Sequence, residues 1–242
     1  MIRTLFEVEA ANIPDVNGTR IVRRRVGRAR VTDIKLSADG ATAVGRDAGR
    51  YITIEGDPYE HAVQMVLEKA LEQFLPRKGM VLVAGLGNPE IARDSLGSQC
   101  VAGLMPCCGA RRSVVAVETD IKAKTGIETA RMIRGVAAEM KVAAVVAVDA
   151  LACSDPLSIG KTVQLSDTGI TPGSAVGADS PMLTREYIGV PVIALGVPMV
   201  TVLNDITGIP SHERYLVAPV GEALYSKAWG ECISAALNSI VK

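Results

Sequence analysis

Short, uninterrupted apolar runs separated by stretches of helical periodicity are the feature of this 242-residue chain that most constrains its fold. The runs are MVLVAG from Met80, VVAV from Val114, VAAVVAV from Val142 and VPVIAL from Val190, with a weaker run, TVQLS, from Thr162. A continuous apolar run of this length is typical of a parallel strand that is buried on both faces. Strands that alternate with helices predict an α/β fold, with a mostly parallel sheet and helices on both of its faces.

The N-terminal part of the chain has a different pattern. Residues 20–56 contain the loosely alternating segments RIVRRRVGRARV and RYITIEG, with the turn signal SADG between them. This pattern predicts a small antiparallel β appendage within a single domain that spans residues 1–242. Apolar residues at helical spacing predict one helix from His61 to Leu75 and a closing amphipathic helix from Gly221 to Val241.

Composition narrows the classes of function. Lys plus Arg and Asp plus Glu number 26 each, so the net charge gives no steering of the whole chain toward nucleic acid or a membrane. A basic run at residues 20–30 is a local exception, which we interpret as a solvated strand face. The five cysteines lack metal-ligand spacing, and no signal peptide or membrane-spanning run is present, which together favour the cytoplasm. We therefore expect no direct nucleic-acid partner, no membrane partner and no metal or other cofactor.

Polar residues follow the predicted strands, where open parallel sheets bind their ligands. Asn88, Glu90 and Asp94 come after MVLVAG, and Asp149 directly follows VAAVVAV. Two carboxyl groups brought close together share a proton, so one can activate a water molecule while the other protonates a leaving amine. An aspartate just after a strand is often only the N-cap of the next helix, and from its position alone this is the simpler explanation of Asp149. Residue types alone do not choose among a hydrolase, a transferase and a binding protein.

Candidate carboxylates also follow two other runs. Glu118, Asp120 and Glu128 come after VVAV, and Asp167 and Thr168 follow TVQLS at the start of a glycine-rich loop. Asp167 before a Thr-Gly pair is also simply explained by an Asx turn.

A series of longer motifs carries more information than any single residue. In chain order they are GRYITIEG from Gly49, VAGLGN from Val83, DSLG from Asp94, TGIETARMIRGV from Thr125, VAVDALA from Val146, QLSDTGITPGSAVG from Gln164, LTREYIGVPVIALGVPMV from Leu183 and a closing segment from Arg214. This series covers most of the chain and resembles the germination protease family of spore-forming bacteria. Members of that family are endopeptidases that degrade small acid-soluble spore proteins.

The resemblance implies an atypical aspartic endopeptidase, on an α/β fold related in architecture to hydrogenase maturation endopeptidases. The proposed catalytic aspartates of the family match Asp94 in DSLG and Asp149 in VDALA. The implied partners are small acid-soluble spore proteins or other unfolded proteins, in the cytoplasm of the forespore or spore core, and we expect a homo-oligomer. The residues expected to line the substrate side are Asn88, Glu128, Asp167, Thr168 and Gly169.

The chain also departs from the family pattern. It starts with MIRTLFEVEA, almost where the mature family chain would begin, so we expect that it needs no N-terminal trimming. Thr171 stands where the family has a histidine, and a long family insertion is reduced to about residues 203–214. Two alternatives therefore stay open: a metal-dependent maturation peptidase whose carboxylates hold a cation, and a binding protein that kept the fold and lost turnover.

Overall fold

The computed structural model describes residues 17–109, 111–173, 181–208 and 215–241. The expectation about the N-terminal segment MIRTLFEVEA lies outside the described residues. Part of the glycine-rich loop beyond Gly173 and part of the segment at residues 203–214 also lie outside them.

Strands and helices alternate along most of the described chain. The strands are β1 (Thr19–Val26), β2 (Ala29–Leu36), β3 (Gly49–Glu55), β4 (Gly79–Gly85), β5 (Cys107–Cys108), β6 (Arg112–Glu118), β7 (Ala144–Cys153), β8 (Thr162–Ser166), β9 (Val192–Val202) and β10 (Leu216–Val217). The helices are α1 (Ala38–Val44), α2 (His61–Phe74), α3 (Leu96–Gly103), α4 (Lys122–Thr125), α5 (Thr129–Glu139), α6 (Arg185–Ile188), α7 (Leu203–Thr207) and α8 (Glu222–Ser239). Two 3₁₀ turns lie at Ala92–Asp94 and Pro156–Ser158.

These elements confirm the α/β class that the apolar runs predict, but the sheet is mixed. Its strand order is β1-β2-β3-β8-β9-β7-β4-β6-β5, with β10 on β9. The neighbours β6, β4, β7 and β9 are parallel, whereas β8 is antiparallel to β9. A parallel crossover needs about a dozen or more residues. Residues 154–161 between β7 and β8 are too few for one, so β8 runs in the opposite direction to β7.

The N-terminal ribbon is antiparallel, as the alternating pattern predicts. It is not separate from the sheet, because β3 pairs with β8 from Tyr51 to Glu55 and so continues the sheet. The segment SADG also differs from the predicted turn, since it begins α1. The Ser37 hydroxyl caps that helix by accepting a hydrogen bond from the Gly40 amide at 3.3 Å, and serine is among the preferred residues at a helix N-cap.

Both faces of the central strands are buried, with alternate residues entering two separate clusters. On one face Val146 and Val148 of β7 belong to the cluster that includes Trp229 of α8. On the other face Val145 belongs to the cluster that includes Ile133 of α5. The sheet therefore has helices on both sides, and its carboxyl edge is left as the place where polar side chains can gather. Within the described ranges, no helix is long and apolar enough to cross a membrane.

Candidate active site

The loop after β4 folds back on itself because it contains glycine where no side chain would fit. Gly87 has φ +92°, and a Cβ atom there would lie 2.2 Å from the Asp94 carbonyl oxygen and 2.8 Å from Asp94 Oδ1. A Cβ atom on Gly85 would lie 2.4 Å from the carbonyl oxygen of Gly97 in α3. Glycine alone permits this backbone and these approaches. The loop and the 3₁₀ turn that carries Asp94 are therefore packed backbone against backbone.

Asp94 is half-buried and held by the same loop. The backbone amide of Asn88 donates a hydrogen bond to Asp94 Oδ2 at 2.7 Å, which favours the ionised carboxylate. The next residue, Ser95, is buried, and its hydroxyl lies 2.9 Å from the Ser226 hydroxyl of α8. Burial raises the pKa of Asp94, and the charge of Asp120 adds to that rise, while the Asn88 bond and Arg93 oppose it.

Asp149 lies within β7, one residue past the last pair that β7 forms with β4, Gly85 with Val148. The strand continues past Asp149 to Cys153 and stays paired with β9, with a register shift after Leu151, so Asp149 is not the N-cap of a helix. Its side chain is only 6% exposed, and its Oδ1 accepts a hydrogen bond from the Ala150 amide at 2.9 Å. Burial and the charge of Asp94 together raise the pKa of Asp149 well above its usual range.

Asp94 lies in the 3₁₀ turn that follows β4, and Asp149 lies in β7, the parallel neighbour of β4, so both residues are on the carboxyl side of these strands and interact electrostatically. Asp149 is the more deeply buried of the two, and the charge of Asp94 acts on it directly. The Asn88 amide stabilises negative charge on Asp94. Two carboxyl groups whose environments differ in this way can serve as one acid and one base at the same pH.

Of the residues expected on the substrate side, Asn88 and Glu128 lie in loops at this edge. Asn88 is buried next to Asp94, and its side-chain oxygen accepts a hydrogen bond from the Glu90 amide at 3.0 Å. Glu128 is the N-cap residue of α5 and forms an ion pair with Lys122. The second carboxylate oxygen of Glu128, Oε2, is buried without a hydrogen-bond partner in the described part of the chain.

Asp167, Thr168 and Gly169 have other neighbours. Asp167 Oδ1 accepts a hydrogen bond from the Arg50 amide of β3 at 2.7 Å, and the Thr168 hydroxyl lies 2.8 Å from that of Ser166. Gly169 lies against Leu183, whose carbonyl oxygen would be 2.2 Å from a Cβ atom. Because β8 is antiparallel to β9, these residues leave the sheet toward the amino ends of β7 and β9, away from Asp149. The structure therefore does not bring them to the aspartate pair.

A cluster of charged residues beside Asp94 includes a lysine that sequence reasoning did not single out. The Lys124 ammonium lies 2.8 Å from Glu90 Oε1 and 2.9 Å from Asp120 Oδ2. Asp120 is one of several carboxylates that follow a predicted strand in the sequence. It differs from the others because its strand, β6, pairs directly with β4, the strand that precedes Asp94. In the part of the chain that the structure describes, no three His, Cys, Asp or Glu side chains are grouped so as to hold a metal ion.

A mixed α/β sheet with two interacting carboxyl groups at the carboxyl edge of its parallel strands defines a protein with a candidate acid–base site. A sequence model described as germination protease matches residues 4–228. The germination protease of Clostridium perfringens is 33% identical over 222 residues, which cover 81% of this chain and 68% of that protein. The germination protease of Caldanaerobacter subterraneus subsp. tengcongensis is 34% identical and covers 91% and 75% of the two chains. The chain therefore belongs to the germination protease family, and it is a peptidase.

Among solved structures, the crystal structure of the [NiFe] hydrogenase maturation protease HycI from Thermococcus kodakarensis KOD1 is similar over part of the chain. The similarity covers 71% of this chain and 98% of that protein, with a TM-score of 0.46 and 19% sequence identity.

Proposed function

We propose that the chain is an endopeptidase that cleaves small acid-soluble spore proteins, or similar unfolded proteins, by activating a water molecule between Asp94 and Asp149. The proposal is carried by the placement of these two carboxyl groups after neighbouring parallel strands, where burial and the charge of Asp94 raise the pKa of Asp149. Membership of the germination protease family supports a protein substrate.

The two environments assign the two roles. Asp94 is the ionised base, because burial raises its pKa less than it raises that of Asp149, and the Asn88 backbone amide donates to its Oδ2. Asp149 is the protonated acid, because its burial disfavours the charged form. Asp94 takes a proton from water as the water oxygen attacks the peptide carbonyl carbon, and Asp149 gives its proton to the departing amine nitrogen. The proton on Asp94 then passes to Asp149, which restores the starting state.

A groove near the carboxyl edge suits an unfolded substrate. It has a volume of about 530 Å³ and is lined in part by Tyr59, Leu224 and Tyr225. Tyr59 and Leu224 are 75% and 72% exposed, so large apolar surfaces face solvent there. Leu224 and Tyr225 belong to the same end of α8 as Ser226, which contacts the residue after Asp94. An unfolded chain exposes apolar side chains that such a groove can hold.

The test is cleavage of an unfolded protein by the purified chain, with the products identified by mass spectrometry. Asp94→Asn and Asp149→Asn should each lower kcat by about 10²-fold or more, because an amide can neither accept nor donate the required proton. Asp39→Asn, on the exposed side of α1, is the matched control and should cleave at the wild-type rate.

Different outcomes separate the alternatives. Wild-type cleavage by either variant of the pair would contradict the roles of the aspartates. A loss of activity in chelator that a divalent cation restores would favour the metal-dependent peptidase instead. No product from the wild-type chain with any unfolded substrate would favour the binding protein.

A further inference from the structure

One lysine joins the loops that follow two neighbouring strands at the candidate active site. Glu90 lies in the loop after β4, four residues before Asp94, and Asp120 lies just after β6. Lys124 Nζ is 2.8 Å from the Glu90 carboxylate and 2.9 Å from that of Asp120. We propose that Lys124 is a positioning residue for the aspartate pair: it fixes the loop that carries Asp94 and offsets the negative charge of Asp120 beside it. This inference rests on the proposed function.

The position of Asp120 is fixed by the backbone around it. The preceding residue, Thr119, is buried, and both its amide and its hydroxyl donate to the Gly85 carbonyl oxygen, at 3.0 and 3.1 Å. Asp120 itself has φ +55°, a left-handed conformation that is uncommon for residues other than glycine but that aspartate adopts more readily than most. Its Oδ1 accepts a hydrogen bond from the Ile121 amide at 2.8 Å. The end of β4 therefore holds Asp120 at a set position near Asp94.

The charges in this cluster act on Asp94 in opposite directions. The negative charge of Asp120 raises the pKa of Asp94, whereas the positive charge of Arg93 lowers it. Asp149 in β7 is a further carboxyl group close enough to Asp94 for the two to interact electrostatically. The hydrogen bond from Lys124 is the main cause that lowers the pKa of Asp120, so Asp120 is ionised and paired. Without the ammonium, the uncompensated charge of Asp120 would favour protonation of Asp94 and would lower the fraction of Asp94 that is ionised at a given pH.

A simpler explanation is that Lys124 forms only a surface ion pair. Lys124 is 41% exposed and Glu90 is 72% exposed, and exposed pairs of this kind contribute little to stability. The two explanations differ in what they change. Removing a surface ion pair would change stability slightly and leave the pH dependence of kcat unchanged. Removing a positioning residue would lower kcat and shift the acidic limb of its pH profile, where kcat falls as the pH decreases.

The experiment compares Lys124→Met, which removes the charge at similar length, with Lys124→Arg, which keeps it. Lys124→Met should lower kcat by about two- to fivefold, the effect of losing one exposed ion pair, and should move the acidic limb of kcat to higher pH. KM should stay within about twofold, because Lys124 is not expected to touch the substrate. Lys124→Arg should restore the wild-type profile. The matched control is Lys227→Met, which removes an exposed lysine that pairs with Glu231 on α8.

Variants of Asp120 test whether Lys124 acts on Asp94 by offsetting the charge of Asp120. Asp120→Asn alone should move the acidic limb to lower pH, in the opposite direction to Lys124→Met, and this holds as a test even if the lysine variant folds poorly. In the Asp120→Asn background, Lys124→Met should no longer move the limb. An unchanged profile in Lys124→Met, or an undiminished shift in the double variant, would overturn the inference.

Asp149→Asn, measured in parallel, separates this inference from the proposed function. If Asp149→Asn is inactive while Lys124→Met keeps the wild-type profile, only the role of Lys124 is wrong. If Asp149→Asn cleaves at the wild-type rate, the proposed function itself fails, and with it any role of Lys124 toward the pair.

Discussion

Gly87 is the residue that lets the loop after β4 lie against Asp94. Its φ of +92° is strained for any other residue, and a Cβ atom would meet both the backbone and the carboxylate of Asp94. Gly87→Ala should therefore displace Asp94 and lower kcat by about tenfold or more, because small shifts in catalytic geometry are costly. It should also lower the free energy of unfolding by about 3 kcal/mol or more, because the clash with backbone adds to the strain in φ.

Gly189 provides a matched control for this substitution. It has the same φ of +92°, but a Cβ atom there would find nothing within 4 Å. Gly189→Ala should cost only the backbone strain, about 1–2 kcal/mol, and should leave kcat unchanged. Chemical denaturation and steady-state kinetics on both variants measure the two effects. Equal losses of kcat in the two variants would show that Asp94 does not depend on this contact.

The residues of the site differ in how far the sequence could reveal them. Asp94 and Asp149 follow apolar runs that predict neighbouring parallel strands, so position and motif both point to them. Lys124 is in a short helix with no apolar periodicity, and nothing local shows that its ammonium meets two loops. Asp167 also follows an apolar run, but the direction of β8 cannot be deduced from that run. Strand direction decides which edge of the sheet a residue reaches, and it depends on pairing with distant parts of the chain.

At the scale of elements, α3 packs on the end of β4 where Gly97 of α3 lies against the backbone of Gly85 and Leu86. A Cβ atom on Gly97 would lie 2.3 Å from both the amide nitrogen and the carbonyl oxygen of Leu86. These are backbone atoms that cannot turn away, so Gly97→Ala should push α3 off the sheet. We expect a loss of about 3 kcal/mol or more in the free energy of unfolding, the range of severe overpacking.

Gly135 in α5 is the corresponding control, because it is also a helical glycine but has nothing within 4 Å of an added Cβ atom. Gly135→Ala should stabilise the protein by about 0.4–1 kcal/mol, since alanine loses less backbone entropy in a helix. Urea denaturation of both variants checks the opposite signs. A mild effect of Gly97→Ala would mean that α3 can shift without cost.

At the scale of the whole molecule, stability as a function of pH should reflect carboxyl groups of two kinds. Asp149 has a raised pKa, so its ionisation opposes folding, and this cost grows as the pH rises from the usual value of 3.8 through the pKa in the folded protein. Asp149→Asn should therefore raise the free energy of unfolding at neutral pH by about 0.5–2 kcal/mol, and the gain should vanish near pH 3.8.

Asp33 is of the other kind. Hydrogen bonds from Arg50 at 2.9 and 2.6 Å lower its pKa, so it contributes stability above its usual value of 3.8 that is lost as the pH falls through the pKa in the folded protein. Asp33→Asn should therefore lower the free energy of unfolding at neutral pH, and that free energy should then fall less steeply as the pH is lowered. Thermal melts of both variants from acid to neutral pH measure this contrast, and parallel curves for the two would contradict it.

The pairing of β3 with β8 has a consequence for the order in which the protein forms during synthesis. The ribosome releases β1, β2 and β3 early, but β3 gains its second partner, β8, only after the intervening strands β4 to β7 have also emerged. Until then the nascent ribbon has an open strand edge, which can pair with another chain. The slow step in folding is therefore expected to be the pairing of β3 with β8, which are far apart in the sequence. A chaperone that covers the exposed edge of β3 during synthesis would raise the yield of native protein.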